Sequence, residues 1–311
     1  MGLRPRLAAA VALAACLPLP LWAAQSEGSI VAVVPGSTRS AGLGGAGAAL
    51  VGDAGALFAN PAGLATIRHV AVEGSYERYL AGTALSSVAV AVRMGRFHWA
   101  AGAVALDYGS EPEIVPDPAT GGRRGMATGG AFRSADILAA SAVVFRYGFL
   151  AVGATGKYAR QTIGGWAADA WAGDVGFALA VFDIMAFGAS VQNLGGDLGA
   201  GGARLPRRTR AGLTINYVDP EGTFRLLTTL EGQWRSGRGT ALVAGLEGGL
   251  VARGVGLVGR LGYGSHSVTT DASPLTYGAG VELGRLHFDY AFQAFDLLGL
   301  GTHRVGLRWT P

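Results

Sequence analysis

The chain has 311 residues, of which 50% are hydrophobic, only 15% are charged and 52 are glycine, with a formal net charge of +4. Aromatic and β-branched residues recur throughout, which excludes a Gly-rich disordered chain. The positive charge is almost entirely arginine, with Lys157 the sole lysine, and the arginines are spread singly; a nucleic-acid partner is therefore excluded.

The N-terminus reads as an export signal. Arg4 and Arg6 precede an apolar run from Leu7 to Leu21, and small residues follow at Ala23 and Ala24. A positive n-region, an h-region and a small-residue cleavage site assign residues 1–23 to a signal peptide. Cys16, the only cysteine, closes Leu13-Ala14-Ala15-Cys16. That quartet has the form of a lipobox but also fits a cysteine inside the h-region, and both readings stand on the sequence.

Residues 24–68 form a second unit. Within it, residues 36–64 read GSTRSAGLGGAGAALVGDAGALFANPAGL, small residues without strand alternation. The run from Gly42 to Gly47 includes Gly44 and Gly45 and matches G-x-G-x-x-G. A dinucleotide site would need a hydrophobic strand before it and a helix after it. Here Pro35 and Gly36 precede the run, and Gly52, Gly55 and Pro61 break any helix after it. No cofactor is expected. Small residues that pack tightly, an Asp53 able to meet a wall arginine, and Asn60-Pro61-Ala62 as a turn instead predict a plug inside a barrel lumen.

Residues 69–311 read as that barrel. After the signal peptide no run of 18 uncharged apolar residues exists; the best candidate, 241–259, is broken by Glu247, Arg253 and several glycines. Lipid leaves one other way to satisfy a backbone, a closed sheet. Period two supports it. Leu286, Phe288, Tyr290 and Phe292 alternate with His287, Asp289, Ala291 and Gln293; Phe224, Leu226, Leu230 and Trp234 oppose Arg225, Glu231 and Gln233; Val305, Leu307 and Trp309 oppose Arg304 and Arg308. The spacing predicts strands near 69–79, 83–93, 96–107, 134–146, 148–160, 168–181, 184–192, 206–217, 223–234, 239–249, 255–264, 275–284, 285–294 and 302–309. Long connections (108–133, 193–205, 265–274 and 295–301) all follow odd strands, and the tightest turns follow even ones. Short periplasmic turns and long external loops produce that parity. Tyr76, Tyr79, Trp99, Tyr108, Tyr147, Tyr217, Trp234 and Trp309 fall near predicted strand ends, as interfacial girdles would.

Candidate lumenal charges are Lys157, Asp174, Arg225, Glu231, Asp289 and Arg308, together with Glu73, Asp107, Arg260, Glu282 and Arg304. Charges inside a barrel need partners, so pairing across the lumen or with the plug accounts for them, and ligand recognition is the alternative. His69, His98, His266, His287 and His303 show no metal-ligand spacing, and neither a nucleophile elbow nor an H-E-x-x-H helix is present. No enzyme, cofactor or metal site is expected.

The segment 36–64, with Gly42–Gly47, Asp53 and Asn60-Pro61-Ala62, resembles the N-terminal signature of the PorV/PorQ family and, more distantly, of the FadL fatty-acid transporters. The resemblance continues in VGATGKYARQ around Lys157, AGDVGFAL around Asp174, SVQNLGG around Asn193, LPRRTRAGL from Leu205, and the closing LHFDYAF and GTHRVGLRW. One departure is Ala54, where a second acid is common after Asp53. The resemblance implies a fourteen-stranded outer-membrane barrel of a Gram-negative cell with a lumenal N-terminal segment. Its first functional implication is a PorV-type accessory role in type IX secretion, with exported proteins or other secretion components as partners. The alternative is FadL-like passage of a hydrophobic small molecule across the outer-membrane lipid.

Overall fold

The computed structural model describes residues 27–182, 184–199, 203–219, 221–236, 238–265, 272–295 and 300–311. The signal peptide, Cys16 and His266 lie outside the described residues. The strands are β1 (Val70–Arg78), β2 (Ala84–Met94), β3 (Phe97–Pro116), β4 (Gly125–Tyr147), β5 (Leu150–Ile163), β6 (Trp166–Val181), β7 (Met185–Gly195), β8 (Asp197–Leu198), β9 (Ala203–Arg204), β10 (Arg208–Val218), β11 (Phe224–Arg235), β12 (Gly239–Ala252), β13 (Val255–Gly264), β14 (Ala272–Leu283), β15 (Leu286–Phe295) and β16 (Leu300–Trp309). Fourteen of them pair antiparallel in chain order, and β1 closes on β16 in a barrel; β8 and β9 form a separate ribbon in the β7–β10 connection. The closing register pairs Glu73 with Arg308 and Glu77 with Arg304. Among the described residues no helix is long and apolar enough to cross a membrane.

The alternation places residues as the sequence reads. Leu242, Leu250, Leu257, Phe288 and Val305 stand exposed on the outside, while Val243, Glu247, Val258, Arg260 and Asp289 are buried inside. An outward apolar belt of this kind is stable in lipid and not in water, which makes the protein an outer-membrane barrel. The tight turns after β2, β4, β6, β12 and β14, and both ends of the barrel chain, lie at one rim, the periplasmic one.

Three expectations are corrected. Residues 108–133 are largely a continuation of β3 and β4, 20 and 23 residues long, standing beyond the wall as a two-stranded ribbon with both faces exposed. With water on both sides no apolar alternation marked it as strand. Asp107 faces outward, where its side chain accepts the Gly109 N–H at 2.8 Å, so it is no lumenal charge. Tyr79 turns in, edge-on to Phe295 at 6.4 Å, and belongs to no girdle.

Residues 27–68 run inside the wall as short helical turns at Ile30–Ala32, Thr38–Gly42, Ala54–Phe58 and Pro61–Thr66. The inward face of β2–β4 carries a broad apolar patch, where Leu85, Ala89, Ala91, Ala100, Val104, Leu138, Ala142 and Val144 cluster with Leu57, Phe58 and Leu64 of the segment. Protein has replaced water along this patch, and the polar groups buried beside it, among them His98, Asp136, Lys157 and Asp174, find protein partners. The opposite side is built differently.

Candidate functional site

Toward β12–β16 the N-terminal segment meets charges. Arg39 leaves the turn Thr38–Gly42, where the Ser37 side chain accepts the Ser40 N–H, and its guanidinium reaches two acids. It pairs with Asp53 of its own segment at 2.9 Å and with Glu247 of β12 through two bonds of 2.8 and 2.9 Å. Glu247 also holds Arg260 of β13 at 2.6 Å, and Arg260 holds Asp289 of β15 at 2.7 Å. Arg308 of β16 lies 3.7 Å from Asp289 and bonds Asp53 directly, which completes the circuit. Three arginines and three carboxylates thus alternate in a closed, neutral ring, all largely buried. Burial disfavours both charges of the Arg39–Asp53 pair, but the arginines at 308 and 39 outweigh it and hold the Asp53 carboxyl below its ordinary range. Glu247 and Asp53 likewise hold Arg39 well above its ordinary value against the cost of burial.

Toward β5–β7 the attachments are neutral. Asn60, fully buried, is extended at φ −141° as the residue before a proline prefers. Its Oδ1 accepts the Ala62 N–H at 3.1 Å, while Nδ2 donates to the carbonyls of Ala48 at 2.5 Å and Phe177 at 3.0 Å. The Asn60-Pro61-Ala62 turn is therefore seated on the β5–β6 wall, where a Cβ on Gly176 would occupy the place of the Asn60 amide. Ser190, Gln192 and Asn193 of β7 donate to the carbonyls of Ala59, Phe58 and Ala32 at 2.8, 2.7 and 3.2 Å. Gly188 lets the Ala48 carbonyl reach the wall backbone, a space that any Cβ would fill.

The other predicted site residues fall along this interface. Gly42 closes the Thr38–Gly42 turn against Gly278 and Arg260, and the Gly44 N–H donates to Thr276 Oγ1 at 2.9 Å. Gly45 gives its carbonyl to Arg210, whose Nε lies 2.5 Å from Glu231. Glu231 also accepts the N–H groups of Gly47 and Ala48, both at 2.7 Å. Lys157 and Asp174 are a buried pair at 2.7 Å, with Lys157 donating to Asn193 Oδ1 at 3.0 Å. Arg225 pairs with Glu282 near the periplasmic rim, beside His287. Glu73 receives the Gly55 N–H at 2.9 Å, and Arg304 pairs with Glu77 at 2.5 Å. Of the charges that form the ring, sequence reasoning missed Arg39 and Glu247. The only signal for either was a lone charge in an otherwise apolar or small-residue stretch.

Two cavities lie on either side of the segment. The outer, of about 110 Å³, is lined by Phe58, Tyr79, Val243, Phe292 and Phe295 with Arg208 and Arg304. The inner, of about 350 Å³, is lined by Val51, Phe149, Leu179, Ile184, Met185 and Leu227 on one side and by Arg39, Glu247 and Arg308 on the other. Among the described residues no group of His, Cys, Asp and Glu is placed to hold a metal ion.

No family model matches the sequence, and no curated protein matches it. Solved structures do match in fold. The toluene transporter TbuX of Ralstonia pickettii superposes with a TM-score of 0.57 at 14% identity, covering 88% of this chain and 98% of that one. The toluene transporter TodX of P. putida gives 0.57 at 12% identity, covering 93% and 99%. A FadL homologue of Pseudomonas aeruginosa gives 0.56 at 12% identity, covering 93% and 100%. At these identities the likeness establishes the FadL-like barrel fold. Nothing in it favours the narrower PorV/PorQ assignment.

Proposed function

We propose that this protein is a passive outer-membrane channel for small hydrophobic solutes, in which residues 36–64 act as a plug. The observation that carries this is the pair of cavities, one on each side of the N-terminal segment, in each of which aromatic and aliphatic side chains form an apolar lining beside charged and polar ones. An apolar solute gains free energy by leaving water for such a lining, roughly 25 cal/mol per Å² of apolar surface. A fourteen-stranded wall is also too wide to be filled by its own side chains, so an insert is required to keep it from leaking. The named activity of TbuX and TodX, toluene transport, supports this reading over the secretion-accessory role first implied by the family resemblance. A docking protein would place its specificity on the external ribbon 108–133, which bears on neither cavity.

Two measurements test the proposal. Cells expressing the protein take up radiolabelled toluene at low external concentration faster than cells without it. Deleting residues 36–58 leaves a heat-modifiable, folded barrel but raises conductance in planar bilayers and admits large antibiotics. Equal uptake with and without the protein refutes transport, and unchanged permeability of the deletion refutes the plug. Capture of exported substrates or of other type IX components through ribbon 108–133 would restore the accessory role.

A further inference from the structure

The two faces of the N-terminal segment differ in one respect: among the described residues, its ion pairs with the wall fall on one face only. On the β5–β7 side the contacts are apolar packing and neutral hydrogen bonds, and on β4 the charged Asp136 and Arg146 meet only the Ser29 hydroxyl and main-chain groups of the segment, without an ion pair. On the β11–β16 side apolar contacts of Leu43, Ala46 and Leu50 with Leu227 and Val243 are joined by ion pairs between the segment and the wall. The two cavities both reach the β10–β16 part of the wall, the outer beside Val243 and Thr302 and the inner beside Leu227 and Arg308. Between them stands the ring: Asp53 lines the outer cavity, while Arg39, Glu247 and Arg308 line the inner one.

We infer that the segment is a door, hinged on β5–β7 and latched on β12–β16, and that the ring Arg39–Asp53–Arg308–Asp289–Arg260–Glu247 is the latch whose opening joins the two cavities. The reason lies in how the two kinds of contact respond to water. Apolar packing loses free energy continuously as surface is exposed. An ion pair exchanged for hydration is nearly isoenergetic, because the desolvation penalty is recovered as the Coulombic attraction is lost. The ring is also redundant. Each arginine touches two acids, so Arg39 can release Glu247 while keeping Asp53, and the segment moves away from the wall with its own pair intact. The route so defined runs along β12–β16 and through the periplasmic rim. It is independent of any opening in β1–β3, whose pairing is continuous from Val70 to Asp107. This inference rests on the plug reading but concerns which side opens.

The test uses the full-length protein with Cys16 replaced, in planar bilayers with KCl as the probe. Glu247→Gln removes one latch acid and should raise the mean conductance at least tenfold over the parent while migration stays heat-modifiable. A disulfide between Gly42→Cys and Gly278→Cys closes the latch side, since a Cβ at either glycine falls 3.3 Å from the Cα of the other. In the Glu247→Gln background this bond should return conductance to the parent level, and reduction should restore it. A bond between Gly28→Cys and Ala203→Cys, where the Cβ separation is 3.2 Å, ties the start of the segment to the β8–β9 ribbon, away from the latch, and should leave the raised conductance as it is. The inference is overturned if the Gly28–Ala203 bond closes the channel and the Gly42–Gly278 bond does not. It is equally overturned if folded Glu247→Gln conducts no more than the parent. If the deletion of residues 36–58 is silent as well, the plug reading falls with it; if the deletion conducts, only the latch is lost.

Discussion

Asn60→Ala isolates the neutral side of the interface. The asparagine makes three hydrogen bonds with no exposure: one caps the turn Pro61–Thr66 and two hold the carbonyls of Ala48 and Phe177. Loss of such a cap costs about 1 kcal/mol. Each abandoned carbonyl adds about 1 kcal/mol, the lower end for a buried acceptor because a second lone pair or a water can compensate. The sum, about 3 kcal/mol, should appear as easier local opening of the segment and not as barrel unfolding. With Cys16 replaced, Ala49→Cys places a reporter thiol at a site only 2% exposed. Its labelling in detergent micelles reads the open population when closing is fast. At a factor of ten per 1.4 kcal/mol, Asn60→Ala should accelerate labelling roughly 150-fold. Asn60→Asp, which keeps the capping oxygen but not the amide donors, should fall between. An acceleration under about fivefold for Asn60→Ala would refute the reasoning, because the three bonds would then not be what seats the segment.

Lys157→Met strands the buried Asp174 carboxylate and should lower stability by about 3–5 kcal/mol in guanidinium unfolding, whereas Lys157→Met/Asp174→Asn should recover most of it. Gly188→Ala should displace the Ala48 carbonyl and with it the Asn60 donor, raising Ala49→Cys labelling tenfold or more without shifting the unfolding midpoint of the barrel. Asp53 contributes a pH response at the acid end: burial raises its pKa, but Arg308 and Arg39 outweigh that and lower it in the folded protein. A lowered carboxyl contributes stability that is complete above its ordinary pKa, about 3.9, and is lost as pH falls through the folded value. Labelling of Ala49→Cys, normalised at each pH to an exposed reference thiol because only the thiolate reacts, should therefore rise below about pH 4; a rise centred near pH 6 would assign the control to another group.

The wall was legible because its information is local. A strand with lipid on one side must alternate, and a tight turn must interrupt the alternation, so neighbouring residues alone report strand number and loop parity. That failed where both sides of a strand share one environment. Ribbon 108–133 has water on both faces, and Ala100 and Ala101 of β3 both face apolar surroundings, one the segment and the other lipid. The small-residue segment with Asp53 and Asn60 was legible as something packed closely, since only small side chains permit main chain to touch main chain. What it touches was not. The Asn60 turn meets β5 and β6, more than 90 positions downstream at Gly153 and 117 at Phe177, and Arg39 meets Glu247 at a separation of 208. No local pattern marks which of the scattered arginines and acids become neighbours, because barrel closure decides it. β1 pairs with β16, which brings Arg308 to Asp53, while β12, β13 and β15 present Glu247, Arg260 and Asp289 to the same interior. Sequence determined that charges would stand inside a closed wall; only the closed wall determined that six of them form a ring.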